Sequence, residues 1–187
     1  GNWLYYSSSS RDVSGMSDEW RVSPQGGTPM QVAADRYASE YWGAPSPDGA
    51  AVAITARGTT FGQWWRKGHS HLDESEIWLV AMGTTPAYKR LSDGIGGGKD
   101  LWAMWSSDAK TVYYMSDRSG AENIWKRAAA GGAATQVSHF TNGRLLWPQI
   151  SLDGKSIVFE RNFGIWTLDV GSGETKEVPI ALKGVPA

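Results

Sequence analysis

The sequence predicts an all-β fold built from β-propeller blades of four antiparallel strands, and a repeated phrase is the main reason. The phrase begins at Trp42 (WGAPSPDGAAVAIT), at Trp102 (WAMWSSDAKTVYYMS) and at Trp147 (WPQISLDGKSIVFER). Each copy places an Asp six residues after the Trp, then a β-branched or aromatic run and, further on, an Ile-Trp pair. The last two copies are 45 residues apart, which is the period of one blade.

The composition agrees with a sheet protein and excludes several functions. Aromatic residues make up 12% of the chain, and 23 Gly and 8 Pro separate them, as expected for short strands joined by turns. The formal net charge is −1 with both signs mixed, and no apolar run is long enough for a membrane helix. There is no Cys. We therefore expect no nucleic-acid partner, no membrane partner and no cofactor.

Each copy divides into four strands. The predicted strands lie near 41–44, 51–55, 76–80 and 88–91 in the first copy, 101–106, 111–116, 123–127 and 135–138 in the second, and 146–151, 156–160, 164–169 and 175–178 in the third. Asp48-Gly49 and Asp153-Gly154 suit a tight turn between the first two strands. Ala109 replaces this Gly in the middle copy, so the turn there is predicted to be of another type or mildly strained.

A partial copy precedes these three. It has strands at 2–8, 19–23 and 29–32 but no counterpart of the first strand. The blades are thus predicted at 1–35 (partial), 38–93 (with an insertion at 57–75), 99–141 and 143–180, within a single propeller over 1–187 that contains about fifteen strands.

The two ends of this array predict an incomplete ring. We expect a fragment of a propeller of six or seven blades, whose end blades expose apolar faces carrying Tyr5, Val158 and Phe159. Such faces and open sheet edges favour self-association.

The repeat resembles that of TolB-like propellers. The resemblance is carried by Ser46-Pro47-Asp48-Gly49, by Ser116-Asp117-Arg118-Ser119-Gly120 and by Gln136-Val137-Ser138. The stretches FGQWWRKGHSHLDESEIW and YYMSDRSGAENIWKR are most similar to the N-terminal propeller of bacterial tricorn-like serine peptidases. The resemblance implies that a second propeller, a PDZ module and a serine-peptidase domain follow this propeller in members of that family. This chain ends before them, so no catalytic residue is assigned.

The insertion contains the candidate metal ligands. His69, His71 and Asp73, with Glu74 and Glu76 nearby, could supply ligands for a divalent cation, and a hydrolase with such a site at 57–76 is one hypothesis. Their spacing matches no zinc signature. The alternative is an extended hairpin loop whose Trp64 and Trp65 pack on a neighbouring blade while Arg66 and Lys67 pair with acids. Nucleophilic catalysis has no support, because no G-x-S-x-G elbow occurs.

Two repeated residue types allow a structural and a functional interpretation. Arg118 and Arg161 follow the second strands of their blades and are interpreted as braces within a blade, or as part of a surface that receives a peptide carboxylate. The repeated Trp residues are interpreted as inter-blade core, with Trp125 and Trp166 mostly buried, or as a stacking surface. The candidate binding surface is Trp64, Trp65, Arg66, Arg118 and Arg161.

The sequence thus favours a non-catalytic propeller domain that binds peptides or proteins, or gates substrates, for an attached tricorn-like peptidase. A free-standing TolB-like module of the bacterial envelope is the alternative. The compartment, periplasmic or cytoplasmic, stays open.

Overall fold

The protein is all-β, as predicted. The computed structural model describes residues 2–36, 38–58, 65–66, 69–70, 74–92, 98–181 and 184. These residues form four antiparallel sheets and one short hairpin, and no helix occurs among them. Accordingly, no helix of this described part is long and apolar enough to cross a membrane.

Each of the four sheets is one blade, with its strands in sequence order. The first blade contains β1 (Leu4–Ser8), β2 (Asp18–Val22) and β3 (Met30–Ala33). The second contains β4 (Ala38–Pro45), β5 (Ala51–Gly58), β8 (Glu76–Ala81) and β9 (Ala87–Arg90). The third contains β10 (Asp100–Trp105), β11 (Thr111–Ser116), β12 (Asn123–Ala128) and β13 (Thr135–Gln136). The fourth contains β14 (Leu146–Ile150), β15 (Ser156–Arg161), β16 (Gly164–Asp169) and β17 (Thr175–Glu177).

These strands confirm the propeller prediction and the open, partial arrangement. The described blades hold fifteen strands, and the first blade has three. The insertion contributes a separate hairpin, in which β6 (Trp65–Arg66) pairs with β7 (His69–Ser70).

The turn that follows the first strand has the same hydrogen bonds in the second, third and fourth blades. In the second blade, Ser46 Oγ donates to Asp48 Oδ1 at 2.6 Å, and the Ala50 amide donates to the same oxygen at 3.0 Å. These two bonds lower the pKa of Asp48. The equivalent Ser-to-Asp bonds in the third and fourth blades are also 2.6 Å long. The turn is thus built by the side chains that the sequence repeats.

Ala109 adopts this same turn with strain, which is the second of the two predicted outcomes. Its φ is +57°, close to the +72° of Gly49 and the +73° of Gly154. A Cβ makes this left-handed region costly, so the third blade keeps the turn at the expense of local strain.

The core lies between blades rather than within one layer. In β11, Val112 and Tyr114 pack with Ile77 and Leu79 of the second blade. The alternate residue Tyr113 packs with the fourth blade. A third cluster joins the first and second blades. Both faces of a middle strand are therefore buried, as expected for a sheet between two neighbours.

The expectation that Tyr5, Val158 and Phe159 are exposed on the end blades is wrong in part. Phe159 is 1% exposed, because it faces the third blade, whereas its neighbour Val158 lies on the outer face and is 43% exposed. Tyr5 is partly buried against the second blade. Trp125 and Trp166 are mostly buried, as expected, and each packs at the margin of an inter-blade cluster. Val158 and Phe159 differ in exposure because neighbouring residues of a strand face opposite sides of a blade.

Candidate functional site

The repeated tryptophans of the innermost strands meet in one place. Trp42, Trp102 and Trp147 come from β4, β10 and β14, and together they form what we call the aromatic cluster. Their ring centroids lie 5.5 Å apart for Trp42 and Trp102, 5.1 Å for Trp102 and Trp147, and 6.2 Å for Trp42 and Trp147. These separations are those of contacting aromatic rings.

A β-bulge turns each of these rings out of its sheet. The pairing register shifts at each Trp, and their φ angles are +52°, +56° and +53°. Such angles are strained for a bulky residue, and strain of this kind concentrates at binding sites. Trp102 is 7% exposed, but Trp42 and Trp147 are 40% and 57% exposed. The interpretation as inter-blade core therefore holds for Trp102 but not for its two partners.

A cavity of about 510 Å³ opens beside the second blade, and we call it the second-blade cavity. Its wall combines carboxyl groups with aromatic and aliphatic side chains, from Asp35, Ala38, Glu40, Ile54, Ala56, Glu74, Ser75, Glu76, Trp78 and Tyr88. The volume falls within the range of small-ligand pockets.

Glu40 is the most buried acid in this wall. It is 1% exposed, and its Oε2 accepts a 3.3 Å hydrogen bond from the Asp35 amide. Burial, together with the carboxylates of Asp18, Asp35 and Glu19 and against the lowering effect of the Asp35 amide bond, raises its pKa to about 8. Buried carboxyls with raised pKa values are a mark of functional sites as well as of strained cores.

A second buried acid connects this region to the aromatic cluster. Burial raises the pKa of Glu19 to about 7, against the lowering effect of hydrogen bonds from Ser7 and Gly43. Ser7 Oγ donates to Glu19 Oε2 at 2.9 Å and accepts a bond from the Trp42 amide at 3.1 Å. The backbone of Trp42 is thus held by the acidic region of the first blade.

Most of the candidate residues predicted in the insertion lie outside the described residues or are described only by their backbone. Trp64, His71 and Asp73 lie outside the described residues. Trp65 and Arg66 are in β6, and His69 is in β7, which gives only their backbone pairing. Among the residues that the structure describes, no group of three or more His, Cys, Asp or Glu could hold a metal ion.

Arg118 has three described contacts inside the third blade. Its Nη2 is 2.9 Å from Asp100 Oδ2, its Nε donates to Ser116 Oγ at 2.9 Å, and its guanidinium lies 5.0 Å from the Trp125 ring centroid. These contacts are those of a brace.

Arg161, the last residue of β15, contacts the segment between β13 and β14. It is 5% exposed, donates to the Asn142 carbonyl at 2.6 Å and lies 3.9 Å from the Phe140 ring centroid. None of these contacts joins Arg118 or Arg161 to the aromatic cluster.

The sequence pattern alone identifies neither the aromatic cluster nor the second-blade cavity as a site. A signal for each is nevertheless present. Trp42, Trp102 and Trp147 recur at one repeat position, and Glu40 and Asp100 both lie two residues before their Trp. Recurrence at a blade position favours core packing as the interpretation, because strand periodicity does not reveal a bulge.

Solved structures similar to this chain are propeller proteins. A putative TolB from Agrobacterium tumefaciens is 20% identical with a TM-score of 0.74, over 95% of this chain and 61% of that protein. Puromycin hydrolase is 18% identical with a TM-score of 0.67, over 95% of this chain and 28% of that enzyme. The tricorn protease is 11% identical with a TM-score of 0.51, over 100% of this chain and 22% of that enzyme. At these identities the likeness shows the fold.

The chain spans less than two thirds of each of these proteins. No curated protein shows significant sequence similarity to it. A sequence profile of the tricorn protease N-terminal β-propeller domain, however, matches residues 1–174. The chain therefore belongs to the family of tricorn protease N-terminal β-propeller domains.

Proposed function

We propose that this chain is a non-catalytic propeller domain that binds extended peptide segments at the aromatic cluster, and that it docks or gates such segments for an attached peptidase. The observation that carries the proposal is the meeting of Trp42, Trp102 and Trp147, two of them with exposed rings. Propellers of similar fold occur in puromycin hydrolase and in the tricorn protease, which supports the link to peptidases.

The spacing of the three rings suits a peptide in extended conformation. Alternate side chains of a strand project from the same side about 7 Å apart. The three ring centroids are 5.1 to 6.2 Å from one another, so two apolar side chains of a peptide would contact the cluster together. Each aromatic contact contributes roughly 0.5–1.5 kcal/mol beyond area burial, which is enough for weak, sequence-tolerant binding.

The role of the cluster is tested with a neutral probe, a blocked heptapeptide that contains two phenylalanines and one norleucine. Isothermal titration calorimetry gives its affinity for the unmodified chain, Trp147→Ala and Trp42→Ala. We expect each substitution to weaken binding at least fivefold. Phe163→Ala is the matched control, because Phe163 is a fully exposed aromatic residue in the turn between β15 and β16.

Equal affinity in all four proteins, or no binding by the unmodified chain at millimolar peptide, would refute the proposal. A probe with alanine in place of both phenylalanines shows whether the contact is with apolar side chains. Thermal unfolding of each variant verifies that it is folded.

A further inference from the structure

We propose that the second-blade cavity binds a cationic side chain, lysine or arginine, of the peptide held by the aromatic cluster. This inference rests on the proposed function for the identity of the ligand. The cavity itself has the properties of a site for an organic cation, and three observations show this.

The first observation is a comparison of equivalent positions in two blades. Glu40 lies two residues before Trp42, and Asp100 lies two residues before Trp102. Glu40 pairs across the sheet with Ala56, and Asp100 pairs in the same way with Ser116. The two acids are therefore structural counterparts.

The third blade supplies its acid with a cation from the equivalent place, and the second blade has no such residue there. In the third blade, Arg118 contacts both Asp100 and Ser116, each at 2.9 Å. The residues of the second blade at the positions of Ser116 and Arg118 are Ala56 and Gly58. The second blade thus keeps the acid but not the side chains that neutralise it. The fourth blade needs no cation, because Leu145 occupies this position and is fully buried.

The second observation is the electrostatic environment of the Glu40 carboxyl group. The described charges that act on it are the carboxylates of Asp18, Asp35 and Glu19. Its Oε2 accepts one backbone bond, whereas its Oε1 accepts none from the described part of the chain. Arg57 follows Ala56 on β5 and pairs with Ser39, so it lies on the opposite face of the sheet. A buried acid of this kind gains most from a cation that enters the cavity.

The third observation is the rest of the wall. Trp78 and Tyr88 provide aromatic surfaces next to the acids, which is the combination that holds organic cations. Trp78 is fixed in place, because its Nε1 donates to Glu76 Oε2 at 3.1 Å while Arg90 holds Glu76 Oε1 at 2.9 Å. Together with the lack of a three-ligand metal group in the described residues, this wall favours an ammonium or guanidinium over a metal ion.

The cavity and the aromatic cluster are close enough for one peptide. Glu40 and Trp42 are two residues apart on β4, which corresponds to about 7 Å along an extended strand. A peptide with apolar side chains on the cluster can therefore place a lysine or arginine two to four residues away into the cavity.

The test compares the neutral probe with a cationic probe in which lysine replaces norleucine. We expect the cationic probe to bind the unmodified chain at least tenfold more tightly at pH 8.5. Glu40→Gln should remove this preference, so that both probes bind with the same affinity. Glu174→Gln is the matched control, because it removes one exposed carboxylate from the fourth blade and should keep the preference.

A second variant supplies the cation from the protein itself. Ala56→Arg introduces a guanidinium at the residue that pairs with Glu40 across the sheet, and should also remove the preference for lysine. Equal affinity of both probes for the unmodified chain, or a preference that survives in both variants, would overturn the inference. Glutamine has nearly the same shape as protonated glutamate, so Glu40→Gln should fold, and circular dichroism verifies it.

Small probes separate this inference from the proposed function. Butylammonium and butylguanidinium contain the cation without a peptide, and their binding should depend on Glu40 whether or not the aromatic cluster binds peptides. If the neutral peptide fails to bind but butylguanidinium binds through Glu40, the cavity is a cation site and the peptide function is wrong. If neither small cation binds, the cation site is wrong.

Discussion

The carboxylate of Asp100, at the start of β10, and the guanidinium of Arg118, just after β11, form an ion pair of 2.9 Å in the third blade. Asp100 is 2% exposed, and burial raises its pKa even though Arg118 and Ser116 favour its ionised form. The ion pair therefore compensates the free-energy cost of burying the Asp100 carboxylate. In the second blade, Gly58 occupies the position of Arg118, so Glu40 receives no such compensation from that position.

Removal of Arg118 should destabilise the protein strongly. Arg118→Met leaves Asp100 buried without its cation, and we expect a loss of ~3 kcal/mol in the free energy of unfolding. The double variant Asp100→Leu/Arg118→Met copies the apolar Leu145 of the fourth blade and should recover most of this loss. Urea unfolding of the single and double variants measures both values. A double variant no more stable than Arg118→Met would contradict the pairing argument.

The strained turn of the third blade offers a stabilising substitution. Ala109 has a φ of +57° where the equivalent residues are glycines, so Ala109→Gly should raise the free energy of unfolding by ~0.5–1 kcal/mol. Gly49→Ala in the second blade is the reverse change and should lower it by a similar amount. Thermal unfolding of both variants at a single pH measures these changes in stability. If neither substitution stabilises the protein, or if both do, the conformation of the turn does not determine the change in the free energy of unfolding.

The buried acids predict lower stability at alkaline pH. The pKa values of Glu40 and Glu19 are raised to about 8 and about 7, above the 4.5 of an unfolded glutamate. The folded state therefore binds more protons, and the stability present below pH 4.5 is lost as the pH rises through 7 to 8. Asp18, Asp35 and Glu19 carry the charges that act on Glu40, and burial raises the pKa of Asp18 as well.

Urea unfolding at pH 5.5 and pH 8.5 should differ by on the order of 3 kcal/mol, with the protein more stable at the lower pH. Glu40→Gln cannot ionise and should reduce the difference by about half, whereas Glu174→Gln should leave it unchanged. A protein more stable at pH 8.5, or an unaltered difference in Glu40→Gln, would show that Glu40 is ionised in the folded state near pH 7.

The 187-residue chain should self-associate when it is isolated. Val158 and Ile165 are exposed on the outer face of the fourth blade, and Leu4 and Tyr6 are exposed on the first blade. Exposed apolar sheet faces of this kind favour association. We expect the mass from light scattering to rise with concentration above 20.3 kDa. Val158→Lys/Ile165→Lys should suppress the rise, and a monomer at all concentrations would refute the prediction.

Much of the fold follows from local sequence. The Ser-x-Asp turn forms from neighbouring side chains, which is why Asp48, Asp108 and Asp153 identify each blade in the sequence alone. The strands are predictable for a similar reason, because turn residues and β-branched runs act over a few residues. Two-sided burial of Val112 and Tyr113 follows from the absence of a polar face.

The sites depend on relationships between blades, which a single strand does not encode. The bulges at Trp42, Trp102 and Trp147 turn their rings toward one another, and only the packing of three blades brings them within 5.1 to 6.2 Å. The raised pKa of Glu40 likewise comes from burial and from acids on other segments. The sequence by itself determined the blades and their turns, since these form through local hydrogen bonds and strand periodicity. The tertiary structure alone decided which tryptophans face solvent and how each buried acid is compensated, because exposure and electrostatic environment are set by neighbours distant in the chain.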